Sequence, residues 1–204
     1  MKVGKLLHTK IKRNRRGKEF VKYRKVKATA PYEHLQIDIK YIYVYGESRN
    51  SLLASIIDVY NREILSHKFQ HSIKKYDVCK MIDDVLNKYP KVVSATLRSD
   101  NGAQFEATMF RNYLDLKGIN QEYTHVATPQ ENAYIESYHS IIERELCKKF
   151  VFDSFEEAEK HINGFISYYN EKRLHSGIGY KSPKQFLQER ELDGLGQLPS
   201  SARL

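Results

Sequence analysis

The chain has 204 residues, enough for one packed core with tails. A hydrophobic fraction of 41% with 15 Tyr and 9 Phe excludes a disordered chain, and no apolar run approaches the roughly 18 residues that cross a bilayer. The net charge is +9, but residues 1–28 hold 12 Lys/Arg against Glu19 alone, leaving 22 basic and 24 acidic residues beyond, so the basicity belongs to the leader.

That leader, residues 1–30, reads as an extended arm or linker that meets DNA phosphates through Lys12, Arg13, Arg15 and Arg16, with Phe20 and Tyr23 interleaved. From His34 to Tyr45 apolar and aromatic residues alternate with Gln36, Asp38 and Lys40, the period-2 pattern of a strand, which puts Asp38 mid-strand. Gly46 to Asn50 is a turn, Ser51 to Val59 a second strand and Arg62 to Gln70 a third, together an antiparallel meander. Asp58 and Arg62 are expected to stabilise the turn after the second strand, without a metal role for Asp58. Lys74 to Tyr89 has helical spacing and Pro90 stops it. A buried strand from Val92 to Leu97 then delivers Asp100 just past its end, before the Asn101-Gly102 turn.

A helix from Phe105 to Lys117 ends at Gly118, and a short strand runs through Val126. Pro129 opens a loop into a helix from about Asn132 to Lys149 that carries Glu136. Ser154 with Glu157 forms a capping box for a further helix, and Ser182 with Gln185 repeats it for a last one to about Glu191. Residues 193–204 read as a flexible tail. The order predicts an α/β fold, a mixed sheet with helices on its faces, over residues 31–192. Cys79 and Cys147 lie in helical patterns without a CxxC or Cys/His cluster and are expected to be reduced thiols.

An acid inside a strand destabilises it unless it is paired or bound to a metal. Asp38, Asp100 and Glu136, reaching one sheet edge, suit a site for two divalent ions that processes phosphodiesters. No Ser or Cys stands out as an activated nucleophile, while the many tyrosines leave a tyrosine nucleophile open.

The residues around these acids resemble the DDE transposases of bacterial insertion sequences, which are related to retroviral integrases. Asp100 and Glu136 have 35 residues between them, the family's D-35-E spacing. Ile37-Asp38-Ile39-Lys40-Tyr41-Ile42 resembles the strand of the first aspartate and Arg98-Ser99-Asp100-Asn101-Gly102-Ala103-Gln104-Phe105 the turn of the second. Thr128-Pro129-Gln130-Glu131-Asn132-Ala133-Tyr134-Ile135-Glu136-Ser137 resembles the approach to the glutamate, and Tyr169-Asn170-Glu171-Lys172-Arg173-Leu174-His175-Ser176-Gly177, with Ser182-Pro183 beyond, the C-terminal motif.

The resemblance implies a ribonuclease-H-like fold with a five-stranded mixed sheet. Asp38, Asp100 and Glu136 become catalytic residues and ligands of two Mg2+ or Mn2+ ions. The implied activity is DNA cleavage and strand transfer by a polynucleotidyl transferase during transposition, in a homo-oligomer that synapses two element ends. The expected setting is the bacterial cytoplasm, at the nucleoid, with no membrane and no small-molecule substrate. Asn132, His139 and Arg144 are further expected DNA contacts, and His175 is a polar candidate for positioning. Relatives often have Lys seven residues after the glutamate, where this chain has Glu143, followed by Arg144, and Pro before the motif's His, where it has Leu174. No segment before Pro31 has the length or periodicity of a helix-turn-helix. The alternatives are a truncated transposase product that binds DNA as a regulator, and a ribonuclease-H-like or junction-cutting nuclease, which the motifs after Glu136 disfavour.

Overall fold

A computed structural model describes residues 17–22, 26, 28–92 and 94–196. Lys12, Arg13, Arg15, Arg16 and Tyr23 lie outside the described residues, as does the tail from residue 197. Strands β1 (His34–Val44), β2 (Arg49–Asp58) and β3 (Ile64–Gln70) form the expected antiparallel meander. Helix α1 (Lys75–Lys88) leads to β4 (Thr96–Ser99), which pairs parallel with β1, and β5 (Asn120–Tyr123) pairs parallel with β4. The sheet order is β3-β2-β1-β4-β5, five strands and mixed. The strand expected at Val92 begins four residues later, because the chain makes a tight helical turn at Pro90–Val92 before joining the sheet.

Period-2 alternation sorts β1 between two cores. Leu35 and Ile37 face a cluster with α1, α2 (Ala103–Glu106) and α3 (Thr108–Lys117). Ile42 and Val44 face the other side, packed with α4 (Ala133–Ile142) and α5 (Phe155–Glu171). Asp38, four residues before Ile42, therefore shares the face that α4 covers.

The single helix expected from Phe105 to Lys117 is broken at Ala107, whose ψ is 125°. In a continuous helix the Phe105 carbonyl would accept from the N–H four residues on. Here it accepts instead from Gln121 Nε2 at 3.1 Å and Tyr123 Oη at 3.0 Å, which tie the break to β5. Gly118, at φ 72°, ends α3 as expected. Beyond α4 the helix widens at Glu143–Cys147, where Lys148 N–H donates to the Glu143 carbonyl five residues back.

The Ser182–Gln185 capping box forms in full, with Ser182 N–H donating to Gln185 Oε1 at 3.1 Å, while at Ser154 only the serine half forms and Glu157 Oε2 accepts from Asp153 N–H instead. Ser154 Oγ accepts from Glu157 N–H at 3.1 Å, and Ser182 Oγ accepts from Gln185 N–H at the start of α6 (Pro183–Gly196), which runs five residues past its expected end. The leader also joins the core in part. Val21 N–H donates to the Tyr123 carbonyl and Tyr123 N–H to the Glu19 carbonyl, so residues 19–21 extend the β5 edge. Gly46 admits no side chain: its N–H and that of Tyr45 donate to the Phe152 carbonyl before α5, and a Cβ there would meet the Asp153 carbonyl. Cys79 and Cys147 are unbridged.

Candidate active site

The parallel register of β1 and β4 decides where the two aspartates fall. Gln36 pairs with Arg98. Two residues further on stand Asp38, still within β1, and Asp100, one residue past the end of β4; paired strands run about 4.8 Å apart. Because β4 stops at Ser99, Asp100 occupies the first turn beyond it, where its Oδ1 accepts from Gly102 N–H at 2.9 Å. Asp38 and Asp100 line one cleft with Glu136 from α4 and Asn132 from the turn before it.

Gln36 brings Glu136 to that cleft. Its side chain is buried on the same face as Asp38, and Oε1 accepts from the N–H groups of Tyr134 and Ile135 at 3.1 and 3.0 Å. These are donors that the first turn of a helix leaves without intrahelical partners. Arg98, two residues before Asp100, supports the preceding turn by donating from Nη1 to the Glu131 carbonyl at 2.7 Å while pairing with Glu122. Each aspartate thus has, two positions upstream, a buried residue that anchors the approach to Glu136. The same alternation that places Asp38 marks Gln36 as a polar group on the inner face, so the signal is present in the sequence, although alternation does not say what the amide holds.

Ligand atoms of Asp38, Glu136 and His139 lie within 4.8 Å of one another. Burial pushes the Asp38 carboxyl from 3.8 up to about 7; the Ile39 N–H at 2.8 Å opposes the rise, and the negative Asp100 and Glu136 add to it. Burial likewise raises Glu136, with Lys40 opposing and Asp100 adding. His139 Nδ1 stands 3.5 Å from Asp38 Oδ2. Burial, then the positive Lys40, push this imidazole down to about 3, so it is neutral near pH 7. Two carboxylates whose proton affinity is raised, Asp38 and Glu136, beside a neutral imidazole whose Nε2 is buried without a partner among the described residues, form a site deficient in positive charge. This donor set fits hard divalent cations.

Of the expected DNA contacts, Asn132 and His139 are buried. Asn132 Nδ2 faces the Ile37 carbonyl at 3.4 Å and His139 faces Asp38, because α4 turns these positions toward β1. Asn132 lines the cleft, and His139 packs beside Asp38 behind it. Arg144 is exposed and pairs with Glu145 at 3.0 Å. Glu143, standing where relatives often have Lys, pairs with Lys40 of β1 at 2.9 Å, so a cation reaches this flank of the cleft from the strand instead of the helix. Asp58 accepts from the N–H groups of Tyr60 and Tyr32, a turn-stabilising role.

A family model described as integrase core domain matches residues 28–129, and a second of the same description matches residues 117–183. The chain is similar to the transposase for insertion sequence element IS904 of Lactococcus lactis, 30% identical over 78% of this chain and 63% of that protein. It is also similar to the putative transposase InsK for IS150 of Escherichia coli, 27% identical over 74% of this chain and 53% of that one. The chain thus spans between half and two thirds of these relatives. Among solved structures, the HTLV-2 integrase catalytic core domain in complex with magnesium aligns with a TM-score of 0.61 and 15% identity, covering 78% of this chain and 98% of that one. The BIV integrase catalytic core aligns with a TM-score of 0.60 and 18% identity, covering 80% and 99%. The five-stranded mixed sheet is the ribonuclease-H-like fold of these cores.

Proposed function

Since the chain belongs to the integrase core domain family of bacterial insertion-sequence transposases, we propose that Asp38, Asp100 and Glu136 are the catalytic carboxylates with which it cuts and joins DNA during transposition. The observation that carries the reading is their convergence: three acids from a strand, a strand exit and a helix line one cleft. Two magnesium or manganese ions held there would activate the attacking oxygen and stabilise the leaving 3′ oxygen.

The chain's own residues prepare that chemistry. Asp38 and Asp100 are held side by side by strand register, and Gln36 pins the start of α4 so that Glu136 stays opposite them. Lys40 neutralises Glu143 and opposes the rise at Glu136, which favours the ionised carboxylate that a cation needs. The partners are element ends and target DNA. The basic leader, Lys12, Arg13, Arg15 and Arg16 included, adds phosphate contacts, and a homo-oligomer brings two ends together at the bacterial nucleoid.

Labelled linear element ends incubated with target DNA and magnesium test this. The wild-type chain, or the longer protein if this chain is one part of it, is expected to yield cleaved 3′ ends and joined products, and Asp100→Asn neither. Equal activity of the variant would sink the assignment. Nicked strands without joining would instead favour a ribonuclease-H-like nuclease.

A further inference from the structure

Tyr134 stands two residues before Glu136 at the start of α4, and three separate parts of the chain hold it. Its N–H donates to Gln36 Oε1 of β1 at 3.1 Å, its hydroxyl donates to the Val26 carbonyl of the leader at 3.2 Å, and the Arg62 guanidinium lies 3.8 Å from the centre of its ring. We propose that Tyr134 is a positioning residue for the reaction at the acidic cleft: the leader and Arg62 clamp its side chain, and the clamp sets the rotation of α4 that turns Glu136 toward Asp38 and Asp100. The inference rests on the DNA-processing reading above.

Helix geometry explains why a grip at this position matters. Residues two apart on a helix lie about 200° apart around its axis, so Tyr134 and Glu136 project to nearly opposite sides. Holding the ring on the outer side fixes the direction of the carboxylate on the inner side. The bonds from the Tyr134 and Ile135 N–H groups converge on one Gln36 oxygen, a single pivot about which the helix can still roll. Asn132, at the N-cap, adds no side-chain cap of its own.

Arg62 carries two costs at its place in the clamp. Its backbone is in the left-handed region, φ 69°, which favours glycine, and its Nη1 is closed to solvent without a hydrogen-bond partner among the described residues. A glycine would serve the turn better. What the side chain does make is the stack on the Tyr134 ring, an attraction that strengthens where water is excluded. Strain retained at such a residue points to a use beyond local shape. The leader is held just as specifically. Val26 is an apolar residue in a basic segment, and it is buried. Earlier in the same segment the Phe20 ring stacks 5.4 Å from that of His125, whose N–H donates to Glu131 in the turn that opens α4. The leader thus meets the approach to Glu136 at two points, which makes it a structural part of the active site.

The experiment compares the full chain, or the longer protein if this chain is one part of it, with Tyr134→Phe, Val26→Asn, the two combined, and Phe20→Ala. Three quantities are read: the melting temperature without metal, the affinity for Mn2+ from the paramagnetic resonance of the free ion, and kcat and KM for joining labelled element ends. Tyr134→Phe keeps the ring on Arg62 and loses only the hydroxyl, so it should melt within a few degrees of wild type. Its Mn2+ affinity and kcat should each fall about tenfold, the scale seen when a group that orients a metal ligand is removed, with KM for DNA unchanged. Val26→Asn should match it, and the combined variant should be no worse than either, because both break the same link. A folded Tyr134→Phe with wild-type Mn2+ affinity and kcat would overturn the proposal, as would a combined variant whose losses simply add. Should Val26→Asn be unstable, Phe20→Ala, at a half-exposed position, decides the leader's part: a lowered kcat supports it and a wild-type kcat overturns it. A wild-type protein that neither binds Mn2+ nor joins ends would instead overturn the DNA-processing reading itself.

Discussion

Asp38 destabilises the fold it serves. Its carboxyl is raised from 3.8 to about 7, so the folded chain holds the proton more tightly than the unfolded chain. The sign follows directly: the penalty is absent below about pH 4, grows between pH 4 and 7, and is complete above that. Asp38→Asn should therefore melt several degrees higher than wild type at pH 8 without divalent ions, and the two should converge toward pH 4. Magnesium should raise the melting temperature of wild type and not of the variant, since a ligand that binds only the folded state stabilises it. A wild-type melting curve indifferent to magnesium and to manganese would count against the carboxylate cluster as their site. Glu145 has the opposite sign. Hydrogen bonds from Arg173 hold its carboxyl down to about 2, so its stabilisation is present above about pH 4.5 and lost as pH falls toward 2. Glu145→Gln should melt lower than wild type at pH 7, with the gap closing in that acidic window.

The relation of α4 to β1 depends on few groups. Gln36 supplies the acceptor for two N–H donors at the helix start, and among the described residues no other side chain accepts from them. Gln36→Leu keeps the volume and removes that acceptor, leaving buried donors unpaired at a cost of about 1–3 kcal/mol. Chemical denaturation should register that loss. Strand transfer should fall by much more than the stability change explains, because Glu136 loses its register against the aspartates. A variant that loses stability but keeps full activity would show that Gln36 serves the fold alone. Ser154→Ala is a useful contrast: removing the hydroxyl that caps α5 should lower stability by about 1 kcal/mol with activity at saturating DNA unchanged, as α5 carries none of the three acids.

At the scale of the whole molecule, the sheet separates two cores and the cleft opens at the carboxyl end of β4, where parallel strands present groups that bind ligands. Arg62, Arg144 and Arg173 gather on the core itself, whereas the sequence shows most of the positive charge in the leader. Removing residues 1–18 should flatten the salt dependence of DNA binding and leave a residual slope due to basic residues of the core. No residual DNA binding after truncation would mean that the leader supplies all of it. Among the described residues no helix is long and apolar enough to cross a membrane.

The elements legible in the sequence are those governed by local rules. The alternation in β1, Pro90 after α1, Gly118 after α3 and the serine caps at Ser154 and Ser182 act through neighbours a few residues apart, so period and spacing reveal them. The acids are visible for a related reason: a charge between Ile37 and Ile39 contradicts its own strand, and the D-35-E spacing with its flanking motifs matches a family. What escapes are consequences of distant pairing. The break at Ala107 arises because Gln121 and Tyr123 take the Phe105 carbonyl. The widened turn at Glu143 has its partners in Lys40 and Arg173, far away in the chain. Asn132 and His139 are polar residues that a sequence leaves free to meet DNA, and α4 turns them onto β1. The sequence by itself determined which residue types were available for phosphodiester chemistry. Only the tertiary structure decided that Asp38 and Asp100 line one cleft, that Gln36 holds the start of α4 beside them, and that Arg62 meets Tyr134, because each of these depends on contacts between segments the chain brings together only when folded.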